Sequence, residues 1–402
     1  MNILIITTHF PPKKGGVETS NVQYLDYLEQ KKNIKVVVLT YENRYKEKFD
    51  DYWRKSKIIR IKVPPALLEY MTGLKEVSKL DTLRKKFIYA FLHILCLTIG
   101  GLIHLKEAFK ADKIIANGAL IESFVARILS TIARRKYAVR WRTELSGKLI
   151  DIATKFALQH ASVIGVNGSD IQSKVIRLTN SNRNKVFVSK HAVNTDVFHP
   201  IHQRTARRIL NLPLTAFIVL FAAPLNRTKF CDILIKSIPM LLQECSDYFF
   251  VIIGEGPLES EIDMLARQYK KNIRFIPHFV SCEKLNIYIN AADITASCVD
   301  VYYPARIVLE SLACGTPVYI YNVARREEKI SQKVRFTIPL RNVFVISPSA
   351  SVLCKFLSEN RSKIHQMRND KALIKESREY ILRNHAQNEV LKSDIMRLLY
   401  SE

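Results

Sequence analysis

A chain of 402 residues, 48% apolar and 25% charged, has room for two ordinary hydrophobic cores. With no repeat and no low-complexity tract it is neither fibrous nor disordered. Its formal charge of +25 is uneven, since residues 1–200 hold 34 Lys and Arg against 17 Asp and Glu and the remainder 28 against 20. Such an excess points to a polyanionic partner (an anionic membrane surface, a phosphorylated lipid or nucleic acid), with a generally basic surface chemistry as the plainer alternative.

In chain order, Asn2 to Thr8 is a short β-branched run. It is too short, and lacks the basic start, for a signal peptide, and reads as a first strand. Gly15 and Gly16 follow, then a helix from about Thr19 to Glu29. A strand, a glycine pair and a helix aim backbone N–H groups and a positive helix end at an approaching diphosphate, although a tight turn needs the same glycines. Lys35 to Thr40 and Ile58 to Val63 supply further strands. No acid lies about twenty residues beyond a G-x-G-x-x-G, so nicotinamide dinucleotide binding is not indicated. Phe87 to Leu105 carries no formal charge over nineteen residues and sits between Arg84-Lys85-Lys86 and Lys106. Its length admits a membrane span, a membrane-surface helix or a buried groove helix; His93, His104 and the interruption at Gly100-Gly101 count against the span. Arg134 to Arg142 mixes two aromatics with five basic residues, suited to headgroups or an acceptor phosphate, or to a strand with one solvated face.

The second half repeats the strand and helix alternation. A helix is expected at Ala206 to Leu210 and a strand at Phe217 to Ala222. The loop after that strand carries Arg227 and Lys229. Another strand, Tyr248 to Gly254, runs into Glu255-Gly256-Pro257. Asp293 to Ser297 is a strand, Tyr302-Tyr303-Pro304 ends its loop, and a helix runs from Ala305 to Ala313. Gly315 stops that helix in a position calling for positive φ, before a strand at Val318 to Tyr321. Strand, helix and strand in so short a span make a parallel sheet, whose ligands lie beyond the carboxyl ends of the strands. Glu310 is the odd residue, an acid between Ile307-Val308-Leu309 and Leu312-Ala313, read either as a solvated helix position or as a ligand group. The seven cysteines are odd in number and lack a C-x2-C pair, which excludes a disulfide framework and a cysteine zinc site and points to a reducing cytosol. His199 and His202 have tolerable metal spacing without nearby partner ligands, so no metal site is expected.

Three phrases, HFPPKKGGVE at 9–18, KVFVSKHAVNTDVFHP at 185–200 and LESLACGTPV at 309–318, resemble those of family 4 glycosyltransferases, which have the GT-B fold and use nucleotide sugars. The resemblance implies an α/β chain of two Rossmann-like domains with parallel sheets facing across a cleft. Residues 1–190 would be the acceptor-side domain, 191–205 a linker, 206–375 the nucleotide-sugar domain, and 376–402 a helical segment crossing back. By the family's logic Gly15 and Gly16 lie against the donor, Gly254 belongs to the G-x-G-P turn, and Lys229 with Arg227 bears on the pyrophosphate. Glu310 holds the ribose, and the helix starting at Ala305 and Arg306 offers N–H groups to phosphate. The sequence departs from the pattern at the first acid of E-x7-E, which is Tyr302, followed by Tyr303-Pro304 for Gly-Phe; Asp300 or Tyr302 has to replace it. Pro224 stands at the arginine position, Ala324 at a glycine, and Arg142-Thr143-Glu144 where an acceptor-side histidine is usual, leaving Arg142 and Glu144 as acceptor-side candidates. The resemblance implies retention of anomeric configuration without metal or cofactor; with the basic charge and the apolar segment at 87–105 added, the reading is a hexosyltransferase acting on a lipid-linked or glycan acceptor at the cytosolic membrane face. A catalytically impaired GT-B protein that binds a nucleotide, lipid or partner is the alternative. A nucleic-acid-binding protein lacks any recognisable motif.

Overall fold

The computed structural model of the protein describes residues 1–11, 16–41, 52–53, 55–63, 67, 83–141, 148–297, 304–321 and 338–400. Two compact units divide the chain: Met1–His191 with Asn388–Glu402, and Ala192–Gln387.

In the first unit the chain runs β1 (Asn2–Ile6), α1 (Gly16–Glu29), β2 (Lys35–Tyr41), β3 (Tyr52–Trp53) and β4 (Ser56–Ile61). It continues through α2 (Leu83–Ile103), α3 (Leu105–Lys110), β5 (Lys113–Gly118), α4 (Leu120–Ala133) and β6 (Lys136–Trp141). Then come α5 (Lys148–Leu158), β7 (Val163–Val166), α6 (Ser169–Thr179) and β8 (Val186–Val188). The sheet order is β3-β4-β2-β1-β5-β6-β7-β8, parallel except for the short β3–β4 pair. Every residue of β5 is buried, as expected of a parallel strand covered on both faces. Leu4, Ile6, Ile114, Val139 and Ile164 form one core layer with α4.

The apolar run at 87–105 belongs to α2, which starts earlier and stops at His104. Gly100 and Gly101 do not interrupt it. They lie where the helix presses on the sheet and α4, and a Cβ at either would run into Ile61 or Leu129. Among the described residues no helix is long and apolar enough to cross a membrane.

The second unit contains α7 (Gln203–Ile209), β9 (Phe217–Ala222), α8 (Cys231–Glu244), β10 (Tyr248–Ile253), α9 (Glu259–Gln268) and β11 (Ile273–Ile276). These are followed by α10 (Cys282–Ala291), β12 (Ile294–Ser297), α11 (Arg306–Ala313), β13 (Val318–Tyr321), β14 (Val343–Ile346), α12 (Ala350–Asn369) and α13 (Lys371–His385). Its sheet, β11-β10-β9-β12-β13-β14, is parallel throughout. Alternate residues feed two cores. Ile218, Leu220, Val251 and Ile320 face α10 and α11, while Val219, Phe221, Phe250 and Tyr319 face α8 and α12.

The amphipathic region after 371 is two helices, α13 and then α14 (Gln387–Tyr400), broken at Ala386. Residues 376–387 stay with the second unit, and the return to the first begins at Asn388. There Asp394 accepts a hydrogen bond from the Ser189 hydroxyl. The buried Lys113 Nζ donates to the Leu399 carbonyl at 3.3 Å, meeting the negative end of the helix. Burial lowers the Lys113 ammonium to about 8.

Candidate functional site

The strand order of the second unit reverses between β9 and β12: the chain leaves β9 toward β10 and β11, then returns to the opposite side of β9. At such a switch point the loops beyond the strand ends part and leave room for a ligand. Three described features gather there: the loop following β10, the loop following β9, and the end of β12.

The first two interlock. Gly254 has φ of 148° and Gly256 φ of 156°, and a Cβ at either would strike the backbone of Ala223 or Leu225. Leu225 N–H donates to the Glu255 carbonyl at 2.9 Å, and Leu258 N–H to the Leu225 carbonyl at 3.1 Å. The loop after β9 is thereby pinned and turns into a short 3-10 helix, Arg227–Lys229. The Asn226 carboxamide oxygen accepts the Lys229 N–H at 3.0 Å and the Thr228 hydroxyl at 2.7 Å. Phe230, at φ 53°, redirects the chain into α8. Arg227 is exposed and Lys229 half-buried, and neither makes a salt bridge with a described carboxylate. The sequence assigned Arg227, Lys229 and Gly254 to one site; the two loops bring all three to one edge of the sheet.

Beyond β12 the described chain resumes at Pro304 and enters α11. Glu310, only 5% exposed, lies on this helix with every residue from Ile307 to Ala313 buried. Its Oε1 accepts a hydrogen bond from Arg306 Nε at 3.3 Å, one turn earlier. Burial pushes the Glu310 carboxyl above the usual carboxylate range and the Arg306 charge pulls it back. Glu310 is therefore a buried acid held by a single-turn ion pair. Ala305 caps the helix in extended conformation and Arg306 opens it, so the first N–H groups of α11 point toward the loop end. Gly315 has the expected positive φ, 72°, and packs against Ile374. Asp300, Tyr302 and Tyr303 lie outside the described residues, as do Gly15, Arg142 and Glu144; Gly16 opens α1.

Beneath this edge runs an ionic frame not singled out from the sequence. Arg207 Nη2 meets Asp293 Oδ2 at 2.7 Å, both almost fully buried. Asp293 also accepts the Ile218 N–H at 2.6 Å, and Arg207 donates to the carbonyls of Ala291, Leu214 and Ala216. Arg368 binds the carbonyls of Asn290 and Ala292. These contacts fix the entry of β9 and β12. Asp293, between Ala292 and Ile294, was the one available signal; Arg207 sits among other polar residues of α7.

The first unit has a matching switch point between β1 and β5. Its polar groups there hold one another. The buried Glu122 carboxylate accepts the N–H and hydroxyl of Thr8 and the Ala119 N–H at 2.7 Å. His9 Nδ1 lies 3.1 Å from Glu18 Oε1. Asn21 donates to Thr7 Oγ1 and the His9 carbonyl, and Asn117 to Asn21. Buried Arg140 stacks its guanidinium 4.4 Å from the Tyr24 ring centre. Among the described residues no cluster of His, Cys, Asp and Glu could hold a metal ion.

Two Rossmann-like units, each with a sheet of this order, are the components of the GT-B fold. Sucrose-phosphate synthase from Thermosynechococcus elongatus aligns with a TM-score of 0.73 at 17% identity, over 99% of both chains. Anabaena HepE, in complex with UDP and glucose, aligns with a TM-score of 0.69 at 15% identity, again over 99% of both. The trehalose-6-phosphate synthase OtsA aligns at 0.71 and 11% identity, over 100% of this chain and 99% of that one. More particularly, residues 202–349 match the family model of glycosyl transferases group 1. The D-inositol 3-phosphate glycosyltransferase of Mycolicibacterium smegmatis is 29% identical over 163 residues, 38% of this chain. The Mycobacterium leprae protein of the same name is 28% identical over 168 residues. The matched region spans 36% of the length of each of these relatives. The solved structures share the fold, and the family match lies within residues 202–349.

Proposed function

We propose that this protein is a retaining hexosyltransferase of the family 4 type, moving a hexose from a nucleoside diphosphate sugar to a lipid-linked or glycan acceptor at the cytosolic membrane face. The observation that carries this reading is the buried Glu310 on α11, at the same sheet edge as the loop bearing Arg227 and Lys229 and inside the family-matched segment. A carboxylate in that setting suits the two hydroxyls of a nucleotide ribose. As the sugar C1–O bond breaks, negative charge grows on the departing diphosphate. Lys229, Arg227 and the first N–H groups of α11 are suited to stabilise it, so the chemistry has no need of a metal. The degenerate first acid leaves Asp300 or Tyr302 to complete the donor contacts, with Gly15 and Gly16 allowing close backbone approach. Arg142 and Glu144 serve the acceptor side. The excess positive charge of residues 1–200 favours an acceptor at an anionic surface.

A thermal-shift panel of UDP, GDP, ADP and their sugar conjugates tests the donor site; UDP is the natural first ligand, since HepE carries it. A ligand at a hundredfold its Kd adds roughly 2.7 kcal/mol, an easily measured shift. One base class should stabilise the protein and lose that effect in Glu310→Ala. Tyr302, Pro224, Thr143 and Ala324 motivate the second reading, a binding module without transfer. Stabilisation by nucleotide with no hydrolysis or transfer of the sugar would favour it.

A further inference from the structure

α2 is apolar almost all the way round, yet only one side of it is covered. Leu97 is fully buried, and Gly100 and Gly101 press on Ile61 and Leu129. His93 stacks edge-on against Tyr41. On the other side Phe91 (54% exposed), Leu95 (43%), Ile99 (49%), Leu102 (42%) and Ile103 (72%) stand in water. Their spacing of i, i+4, i+8, i+11 and i+12 puts them on one face, a stripe roughly 18 Å long. Phe109 on α3 and Ile132 near the end of α4 are exposed as well. The Arg135 guanidinium donates to the Phe109 carbonyl at 2.7 Å, joining the two ends of that extension. Nothing comparable occurs on the long helices of the other unit, where α12 exposes Val352 and α13 Leu382 as single large apolar residues among those described.

The charge around this face has one sign. Residues 83–136 contain ten Lys and Arg against three Asp and Glu. Lys106, Lys110, Arg134, Arg135 and Lys136 are exposed. Of the three acids, Glu122 is buried, Glu107 pairs with Lys57 at 3.0 Å, and Asp112 accepts the Asn2 N–H. A second copy of the chain would bring two basic rims together across a two-fold axis, at an electrostatic cost. An anionic bilayer suits both parts: the apolar stripe enters the acyl boundary and the lysines and arginines meet headgroup phosphates.

We infer that the exposed face of α2, extended by Phe109 and Ile132, docks the protein on the surface of an anionic lipid bilayer without crossing it. This rests on the membrane-face part of the function proposed above and assigns that contact to particular residues. It also presents the first unit, the expected acceptor side, to lipid-borne substrates.

Vesicle co-sedimentation of the full chain tests it, with pure phosphatidylcholine compared with phosphatidylcholine–phosphatidylglycerol. The wild type should bind only the anionic vesicles and release at high salt. Leu95→Asp with Ile99→Asp should abolish binding, and Lys106→Gln and Lys110→Gln should each weaken it roughly fivefold. Phe91→Trp should show an emission blue shift on adding anionic vesicles. Lack of wild-type binding, or undiminished binding by the double aspartate variant, overturns the inference. So does sedimentation velocity showing a dimer that the double variant dissociates. Donor hydrolysis without lipid, measured on the same proteins, separates the two questions. Loss of vesicle binding with hydrolysis intact fixes the role of the face, whereas absent hydrolysis in all forms bears only on the donor site.

Discussion

The two units place a switch point at the same location of the same kind of sheet and furnish it differently. In the second, Arg227 and Lys229 reach the edge without a salt bridge to any described carboxylate. In the first, Glu122, Thr8, Asn21 and Asn117 are engaged with one another. The strand order dictates where loops part, but the residues at the strand ends decide whether that opening presents charge to a ligand or consumes it in shaping a loop. The second unit keeps its buried ions below the edge, in the Arg207–Asp293 pair, and Arg227 and Lys229 above it. The first carries its surplus charge on the surface, beside an uncovered apolar helix face.

The largest effect is expected where the second unit's frame is broken. Asp293→Ala leaves Arg207 buried without its carboxylate, a loss of about 3–5 kcal/mol. Urea unfolding should show it, and a loss below 1 kcal/mol would mean the frame does not hold β9 and β12. Lys229→Ala, by contrast, should leave unfolding unchanged while turnover falls roughly 10²- to 10³-fold, the usual loss for one preorganised charge-stabilising group. Equal turnover would remove Lys229 from the diphosphate.

The first unit can be probed through Asp394. Burial raises its carboxyl from 3.8 to about 6, against the opposing pull of Arg140 and the Ser189 hydroxyl. The folded state therefore holds that proton more tightly than the unfolded chain. Its stabilising contribution is present below about pH 4 and is lost as pH rises through about 6. Relative to Asp394→Asn, the wild type should lose on the order of 3 kcal/mol across that window. Parallel pH profiles for both proteins would show that the return of α14 is not gated by this proton. The smallest effect belongs to Glu310→Gln. Loss of a charged hydrogen-bond acceptor, about 1.5–3 kcal/mol, should weaken donor-nucleotide affinity roughly 10- to 100-fold with the fold intact. Calorimetric titration with the stabilising nucleotide reads it directly, and unchanged affinity would place the ribose elsewhere.

Much of the second unit was legible in the residues themselves. Continuous apolar runs such as Tyr248 to Ile253 mark strands covered on both faces, because neither face alternates. The positive φ of Gly315 follows from its place behind a helix, and Glu310 stands out as an acid between Ile307-Val308-Leu309 and Leu312-Ala313. These are local properties, set by periodicity and by neighbours a few positions away. Arg227 and Lys229, in the loop after a strand, were singled out only through the family resemblance.

Other features depend on residues far apart in sequence. Arg207 and Asp293 are each unremarkable alone; only folding brings them together, 86 positions apart, and Lys113 meets Leu399 across 286. The same holds for α2. Its sequence is apolar around the whole circumference, so periodicity could not choose a buried side, and the two glycines read as a break. Packing made the choice: the glycine surface fits closely on Ile61 and Leu129, and the bulky Phe91, Leu95 and Ile99 are left facing outward. Local sequence determined that this segment is an apolar helix. Which face remains uncovered was decided by steric fit against β4 and α4, which no residue of the helix encodes by itself.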